Sequence, residues 1–191
     1  PNGGFSTFYT IFNQLGSFRA IVADINNDGL DDIISTRSAD GVIRFFYQNS
    51  GSTLFTVSTI PKTVSNCWGQ IEIGDVNNDG LPDLVHLPEL LNEGVAVHTQ
   101  NANGSFNGGI TYFSPTTWFD ILNDIAIGDF NGDGLIDIAA SKGGNIPSAW
   151  LVIWLQDSVT NLFPAYPIQL SVFDVPTAIT SADLDCSGKT E

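Results

Sequence analysis

The stretch that decides the fold is "DFNGDGLID", residues 129 to 137, in which three aspartates, one asparagine and two glycines share nine positions. Similar segments are "DINNDGLDD" from Asp24, "DVNNDGLPD" from Asp75 and "DLDCSGKTE" from Asp183. Their first residues are 51, 54 and 54 positions apart. Four copies at near-constant spacing indicate an internal structural repeat.

Short apolar segments flank each acidic loop. Four and two residues ahead of the leading aspartates lie Ala20 and Val22, Ile71 and Ile73, Ile125 and Ile127, and Ile179 and Ser181. This alternation is typical of a half-buried strand. The first three loops are followed by "DIIST", "DLVHL" and "DIAAS", then by a third apolar run and by a polar turn that leads to Phe55, Phe106 or Phe163. With a fourth run ("TVSTI", "ITYF", "AYPIQL"), each unit predicts four strands and no helix.

Four strands in each repeat of 51 to 54 residues predict an all-β fold, a β-propeller with four-stranded blades. A sandwich or barrel would not explain the fixed repeat length. The chain holds about 3.6 repeats, assigned as a last strand of a preceding blade (1–17), three blades (18–68, 69–122 and 123–176) and the start of another (177–191). Because propellers close with 4 to 8 blades, we expect the remainder of the propeller, or another copy of the chain, to complete the ring.

The first three loops share one set of oxygen donors, at positions 1, 3, 5 and 9 and at the backbone carbonyl of position 7. The predicted calcium ligands are Asp24, Asn26, Asp28, Leu30 and Asp32, then Asp75, Asn77, Asp79, Leu81 and Asp83, then Asp129, Asn131, Asp133, Leu135 and Asp137. Ca²⁺ takes 6 to 8 oxygens from such tight turns, whereas Mg²⁺ prefers to keep water in a strict octahedron. The loops are not EF-hands, since the glutamate expected at position 12 is missing. The alternative is that Asp, Asn and Gly are ordinary turn residues.

The fourth loop departs from the pattern. Its candidate ligands are Asp183, Asp185, Ser187, Lys189 and Glu191. Ser187 replaces the acid at position 5, so whether this loop binds calcium stays open.

The net charge restricts the partners. The chain has 21 Asp and Glu against 6 Lys and Arg, a formal charge of −15. This charge argues against nucleic acid and against an anionic membrane surface, and it suits cations or a neutral ligand. The sequence contains no apolar run of about 18 residues, so membrane insertion is not predicted. Loops with weak calcium affinity are loaded only where calcium is plentiful, so we expect a secreted, extracellular or cell-surface protein. The N-glycosylation sequon at Asn103 also favours secretion.

At these loops the sequence resembles the FG-GAP/VCBS repeat family, whose calcium-loop propeller blades occur in integrin α-subunits, secreted bacterial proteins and mushroom lectins of the Psathyrella velutina type. The resemblance covers essentially the whole chain and implies seven blades as a rule, with calcium between the first two strands of each. The Phe-Gly pair ahead of the loop is replaced by Trp68-Gly69, and the Gly-Ala-Pro element is reduced to "HLP" at residues 86 to 88. These departures favour the VCBS-like or lectin branch over integrin-type adhesion.

Ligand contacts and catalysis have few candidates. Trp68 and Trp118 lie ahead of calcium loops and are predicted to stack on a sugar ring. His86 and His98 read as strand residues without a nucleophile partner, so no catalytic residue is predicted. Cys67 and Cys186 lack metal-binding spacing and read as unpaired or separately buried thiols.

The sequence thus predicts a secreted, calcium-stabilised propeller that binds carbohydrate, in a lectin-like manner, or a protein partner. The alternatives are the scaffold of an extracellular lyase or dehydratase acting on carbohydrate, and a structural repeat of a cell-surface assembly.

Overall fold

The computed structural model describes residues 17–37, 42–51, 55–61, 70–88, 94–114, 121–143, 149–174, 176–184 and 190. These residues form twelve strands and no helix. The strands make three four-stranded antiparallel sheets, each of which follows chain order from one edge to the other. The all-β fold with four-stranded, propeller-like blades is therefore confirmed.

The strand bounds follow the repeat. The first sheet contains β1 (Ser17–Ala23), β2 (Asp32–Arg37), β3 (Val42–Gln48) and β4 (Phe55–Pro61). The second contains β5 (Ile71–Gly74), β6 (Asp83–His86), β7 (Val95–His98) and β8 (Ile110–Tyr112). The third contains β9 (Ile121–Gly128), β10 (Asp137–Gly143), β11 (Ala149–Trp154) and β12 (Ile168–Val172).

Each acidic loop connects the first two strands of its sheet. The residue before the leading aspartate pairs with the last aspartate, as in Ala23 with Asp32. The turn needs a left-handed residue at position 4, which is Asn27 (φ 56°) in the first loop and Gly132 (φ 78°) in the third. Asparagine and glycine are the residues that tolerate this conformation, which explains why one or the other occupies this position in each loop.

The apolar core lies between sheets as well as within them. One cluster joins Ile34 and Phe45 of the first sheet to Ile71 and Leu84 of the second. A larger cluster joins the second sheet to the third and includes the fully buried Trp154. The aromatic that closes each repeat takes part in this packing, since Phe106 stacks on Phe45 of the preceding sheet with ring centroids 5.1 Å apart.

The inner edge of the array is formed by the first strands of the sheets. Arg19 of β1 donates to Gln70 and forms an ion pair with Glu72 of β5 at 3.3 Å. It also lies 3.8 Å from a carboxylate oxygen of Asp124 in β9. One side chain thus links equivalent strands of three successive sheets.

The burial predicted for the first strand is wrong in one repeat. Ile71 and Ile125 are buried, but Ala20 is exposed and Val22 is 63% exposed. The side chains at these positions in β5 and β9 pack against the preceding sheet. Within the described residues no sheet covers the corresponding face of β1, so its apolar side chains meet solvent.

The start of the fourth repeat lies along the third sheet. The Ile179 N–H donates to Asp124 at 3.1 Å, and the Ser181 hydroxyl donates to the Ile127 carbonyl at 2.7 Å. Ile179 and Ser181, predicted as strand positions, are in contact with β9 but do not form a regular strand.

Candidate functional site

The leading aspartate of each loop organises its turn. In the first loop the Asp24 carboxylate accepts the backbone N–H of Asp28 at 3.0 Å and that of Gly29 at 2.8 Å. Asp75 and Asp129 make the same two contacts in their loops. Although partial desolvation opposes the effect, hydrogen bonds from the backbone N–H groups of Gly134 and Gly132 lower the pKa of Asp129.

The residues at loop positions 3 and 5 are hydrogen-bonded to each other. The Asn26 side chain accepts the Asp28 N–H at 3.0 Å through its oxygen and donates to the Asp28 carboxylate at 3.0 Å through its nitrogen. The other oxygen of Asp28 accepts the N–H of Leu30 at 2.9 Å. The second and third loops repeat this arrangement. Local hydrogen bonds of this kind hold the turn in shape.

The last aspartate is buried rather than solvated. Asp32, Asp83 and Asp137 each have no exposed surface. Asp83 accepts the Val76 N–H at 3.1 Å with one oxygen and the Gln100 N–H at 2.8 Å with the other. It therefore ties the loop to the segment that directly follows β7, the third strand of its sheet.

Burial raises the pKa of Asp83 to about 6, although the Gln100 N–H lowers it, and the nearby Asp79 and Asp75 carboxylates raise it further. Desolvation raises the pKa of Asp32 and Asp137 in the same way. A buried carboxylate surrounded by like charges favours a neighbouring cation.

The predicted ligands fit calcium by their chemistry, because carboxylate, amide and carbonyl oxygens are its usual donors. Their present arrangement is closed by hydrogen bonds to the backbone. In the part of the chain that the structure describes, no group of three or more His, Cys, Asp or Glu side chains is placed to hold a metal. The loops offer the donor types at the predicted positions, and each oxygen that accepts a backbone N–H keeps a second lone pair for a cation.

Several predicted site residues lie outside the described residues. Among the candidate ligands of the fourth loop, Asp183 is the one that the structure describes, and it is exposed. The predicted residues outside the described ranges are Asp185, Ser187, Lys189, Glu191, Trp68, Trp118, Cys67 and Cys186.

A pair of glutamine contacts between sheets was missed by the sequence analysis. The Gln100 side chain donates to the Ile25 carbonyl of the first sheet at 2.8 Å, and Gln156 donates to the Val76 carbonyl of the second at 2.6 Å. Gln48 occupies the same repeat position in the first sheet. The available signal was a glutamine followed by Asn or Asp after every third apolar run ("YQN", "TQN", "LQD").

The two histidines form a buried pair. His86 in β6 and His98 in β7 lie on neighbouring strands, as predicted for strand residues, with 3.1 Å between their Nε2 atoms. His98 Nδ1 donates to the Asn107 carbonyl at 3.2 Å. Burial lowers the pKa of His98 and so favours its neutral ring, whose Nε2 can accept a hydrogen bond from His86.

A groove of about 530 Å³ lies between the second and third sheets. Tyr112 and Phe163 form an aromatic part of its wall, with ring centroids 5.2 Å apart in an edge-to-face contact. Thr99, Asn107 and Asn161 supply hydroxyl and amide groups. The groove thus combines an apolar wall with neutral hydrogen-bonding groups.

The second acidic loop borders the same groove, through Asn77 and Asp79. The groove and the candidate metal loop are therefore neighbouring parts of one site.

A family model described as an FG-GAP-like repeat matches residues 24–86, which run from the first acidic loop to the end of β6. No curated protein matches the chain. FG-GAP repeats are typical of extracellular proteins. None of the described residues belongs to a helix with the length and apolarity needed to span a bilayer.

Proposed function

We propose that this chain, whose residues 24–86 match an FG-GAP-like repeat, is a calcium-stabilised, propeller-like extracellular module that binds a neutral carbohydrate. The observation that carries the proposal is the groove between the second and third sheets, which has both an aromatic wall and a calcium-loop border.

Calcium accounts for the charge of the loops. Arg19 pairs with Glu72 and Asp124, neither of which is a carboxylate of the first three loops. Each of these loops holds three or four acidic residues within nine positions. Asp24, Asn26, Asp28, the Leu30 carbonyl and Asp32 would hold the ion in the first loop, with the corresponding residues in the other two. The ion would supply the positive charge that this acidic chain lacks.

The groove suits a sugar better than a charged ligand. Sugar rings present apolar C–H faces that pack on aromatic rings and hydroxyls that bond to amides and hydroxyls. The half-buried Tyr112 provides the first kind of surface, backed by the buried Phe163, and Thr99, Asn107 and Asn161 provide the second. The formal charge of −15 disfavours anionic ligands.

Calcium and ligand binding should be linked at this site. Asn77 and Asp79 are predicted calcium ligands and also line the groove. An ion in the second loop would fix their positions and so order one wall of the groove. Removing calcium should then weaken sugar binding even at temperatures where the protein remains folded.

The proposal is tested by probing a glycan array with the calcium-loaded chain and measuring the Kd of any bound glycan by calorimetry. Replacing Asn161 by glycine removes an amide from the groove but keeps the left-handed backbone (φ 52°). We expect this change to weaken binding about tenfold, as for the loss of a hydrogen bond to a ligand. The matched control is Asn27→Gly, a left-handed position that does not line the groove and contacts the second loop only through a long hydrogen bond (3.4 Å) to the Gly80 carbonyl.

Equal Kd values for Asn161→Gly and the parent would place the sugar elsewhere. A folded, calcium-loaded chain that binds no glycan would contradict the carbohydrate proposal and favour a protein partner. Turnover of a bound polysaccharide would instead favour the enzyme scaffold.

A further inference from the structure

The turn between β7 and β8 presents a single N-glycosylation sequon, Asn103-Gly104-Ser105, at its tip. The turn is fixed by the Gly104 N–H donating to the Asn101 carbonyl at 2.8 Å and the Asn101 N–H donating to the Ser105 carbonyl at 2.7 Å. Asn103, Gly104 and Ser105 are all exposed. No other Asn-x-Ser or Asn-x-Thr occurs in the 191 residues.

The side chains of the sequon are already in contact. The Asn103 side-chain oxygen accepts the Ser105 N–H at 3.0 Å and the Ser105 hydroxyl at 2.6 Å. Among the described residues, Asn103 Nδ2 makes no hydrogen bond. The nitrogen that would carry a glycan is therefore exposed and uncommitted, and the hydroxyl required by the sequon lies beside it.

We propose that Asn103 is an N-glycan acceptor. In the transfer, Asn103 Nδ2 bonds to C1 of an oligosaccharide carried on a lipid pyrophosphate, the C1–oxygen bond to the pyrophosphate breaks, and Nδ2 loses one proton. The lipid pyrophosphate leaves with the electron pair of the broken bond. Asn103 itself is exposed, and the neighbouring Gly104 also faces open space, with no atom within 4 Å of where its Cβ would lie.

The glycan would lie beside one rim of the groove. Asn101 Nδ2 donates to the Asn107 side chain at 3.0 Å, and Asn107 lines the groove. The modified turn is thus continuous with the proposed binding site. The inference requires passage through a secretory pathway but does not depend on carbohydrate binding in the groove.

The test is expression of the whole chain behind a cleavable secretion leader in eukaryotic cells, followed by intact-mass analysis of the cell-associated and secreted protein. We expect a glycan mass that peptide-N-glycosidase removes, converting Asn103 to aspartate. Asn103→Gln and Ser105→Ala should abolish it, while Ser105→Thr, the matched conservative change, should retain it.

Circular dichroism shows whether each variant is folded. If the folded parent chain carries no glycan in either fraction, or if the glycan persists in Asn103→Gln, the assignment is wrong. A glycan confirmed on a protein that binds no sugar would leave this inference standing and contradict only the proposed function.

Discussion

At the scale of single residues, the last aspartate of each loop has a structural role apart from any metal. Asp83 is fully buried and accepts two backbone N–H groups, from Val76 and Gln100. Both donors belong to buried residues. Removing the carboxylate would therefore leave two buried donors without partners.

We expect Asp83→Ala to lower the free energy of unfolding by about 2–4 kcal/mol, since each buried unpaired donor costs roughly 1–3 kcal/mol. Urea denaturation in excess EDTA measures this effect without a metal contribution. The matched control, Asp31→Ala, removes an exposed carboxylate next to a loop end and should change the stability by less than about 0.5 kcal/mol. Equal effects of the two substitutions would contradict the structural role.

The histidine pair predicts a pH dependence. Burial lowers the pKa of His98 in the folded protein, so the unfolded chain binds its proton more readily. The contribution of the neutral His98 ring to stability is then fully present above the unfolded pKa of about 6.5. Below that pH the free energy of unfolding falls, by up to about 1.4 kcal/mol per pH unit. Urea denaturation at pH 7.5 and pH 5.0 measures the loss.

The control for this prediction is His98→Gln, which has no titrating ring but retains the carboxylates of the parent. Its stability should fall less between the two pH values than that of the parent. An equal fall in both proteins would assign the pH dependence to other groups.

At the scale of elements, the glutamine contacts hold neighbouring sheets together. Gln100 donates to the Ile25 carbonyl of the preceding sheet, and Ile25 is fully buried. We expect Gln100→Ala to destabilise the protein by about 1–3 kcal/mol, because the carbonyl loses its partner. Thermal or urea unfolding provides the measurement.

Gln48→Ala is the matched control for Gln100→Ala. Gln48 occupies the same repeat position, but its side chain makes no hydrogen bond among the described residues. The control should lie within about 0.5 kcal/mol of the parent protein. A loss as large as that of Gln100→Ala would show that the position matters within its own sheet rather than between sheets.

The strands and their connections could be predicted from the sequence because they depend on local patterns. The alternation of apolar and polar residues predicted the strands, and the spacing between Asp24 and Asp75 predicted the repeat. The exposure of Val22 could not be predicted, because it depends on whether a neighbouring sheet covers β1. The role of Gln100 likewise depends on a carbonyl 75 residues earlier in the chain.

The candidate site was predicted only in part, for the same physical reason. Residue types identified the loop donors, since their chemistry is visible in the sequence. The groove walls Tyr112 and Phe163 come from different repeats, 51 positions apart, and only the packing of the sheets brings them together. The burial of Asp83 was also hidden, because an aspartate in a turn usually faces solvent.

At the scale of the whole molecule, three sheets pack face to face along one row of first strands. Arg19 contacts equivalent strands of the next two sheets, and two apolar clusters fill the spaces between sheets. This arrangement is that of successive propeller blades. The seven-bladed ring stays a prediction, as does its completion by further chain or by another copy.

We propose that calcium in the acidic loops stabilises this array. For sites with a Kd of about 1 mM, 10 mM Ca²⁺ adds about 1.4 kcal/mol per site. Three loaded loops would then contribute about 4 kcal/mol, equivalent to a rise in Tm of roughly 10 °C for a protein of this size. The same concentration of Mg²⁺ should have a much smaller effect, because the loops suit a larger ion.

The most direct measurement is differential scanning calorimetry of the chain in EDTA and in 10 mM Ca²⁺, with bound calcium counted by equilibrium dialysis. We predict at least three calcium ions per chain and a Tm about 10 °C higher with calcium than in EDTA. Identical Tm values, with no calcium retained by the folded chain, would contradict the claim.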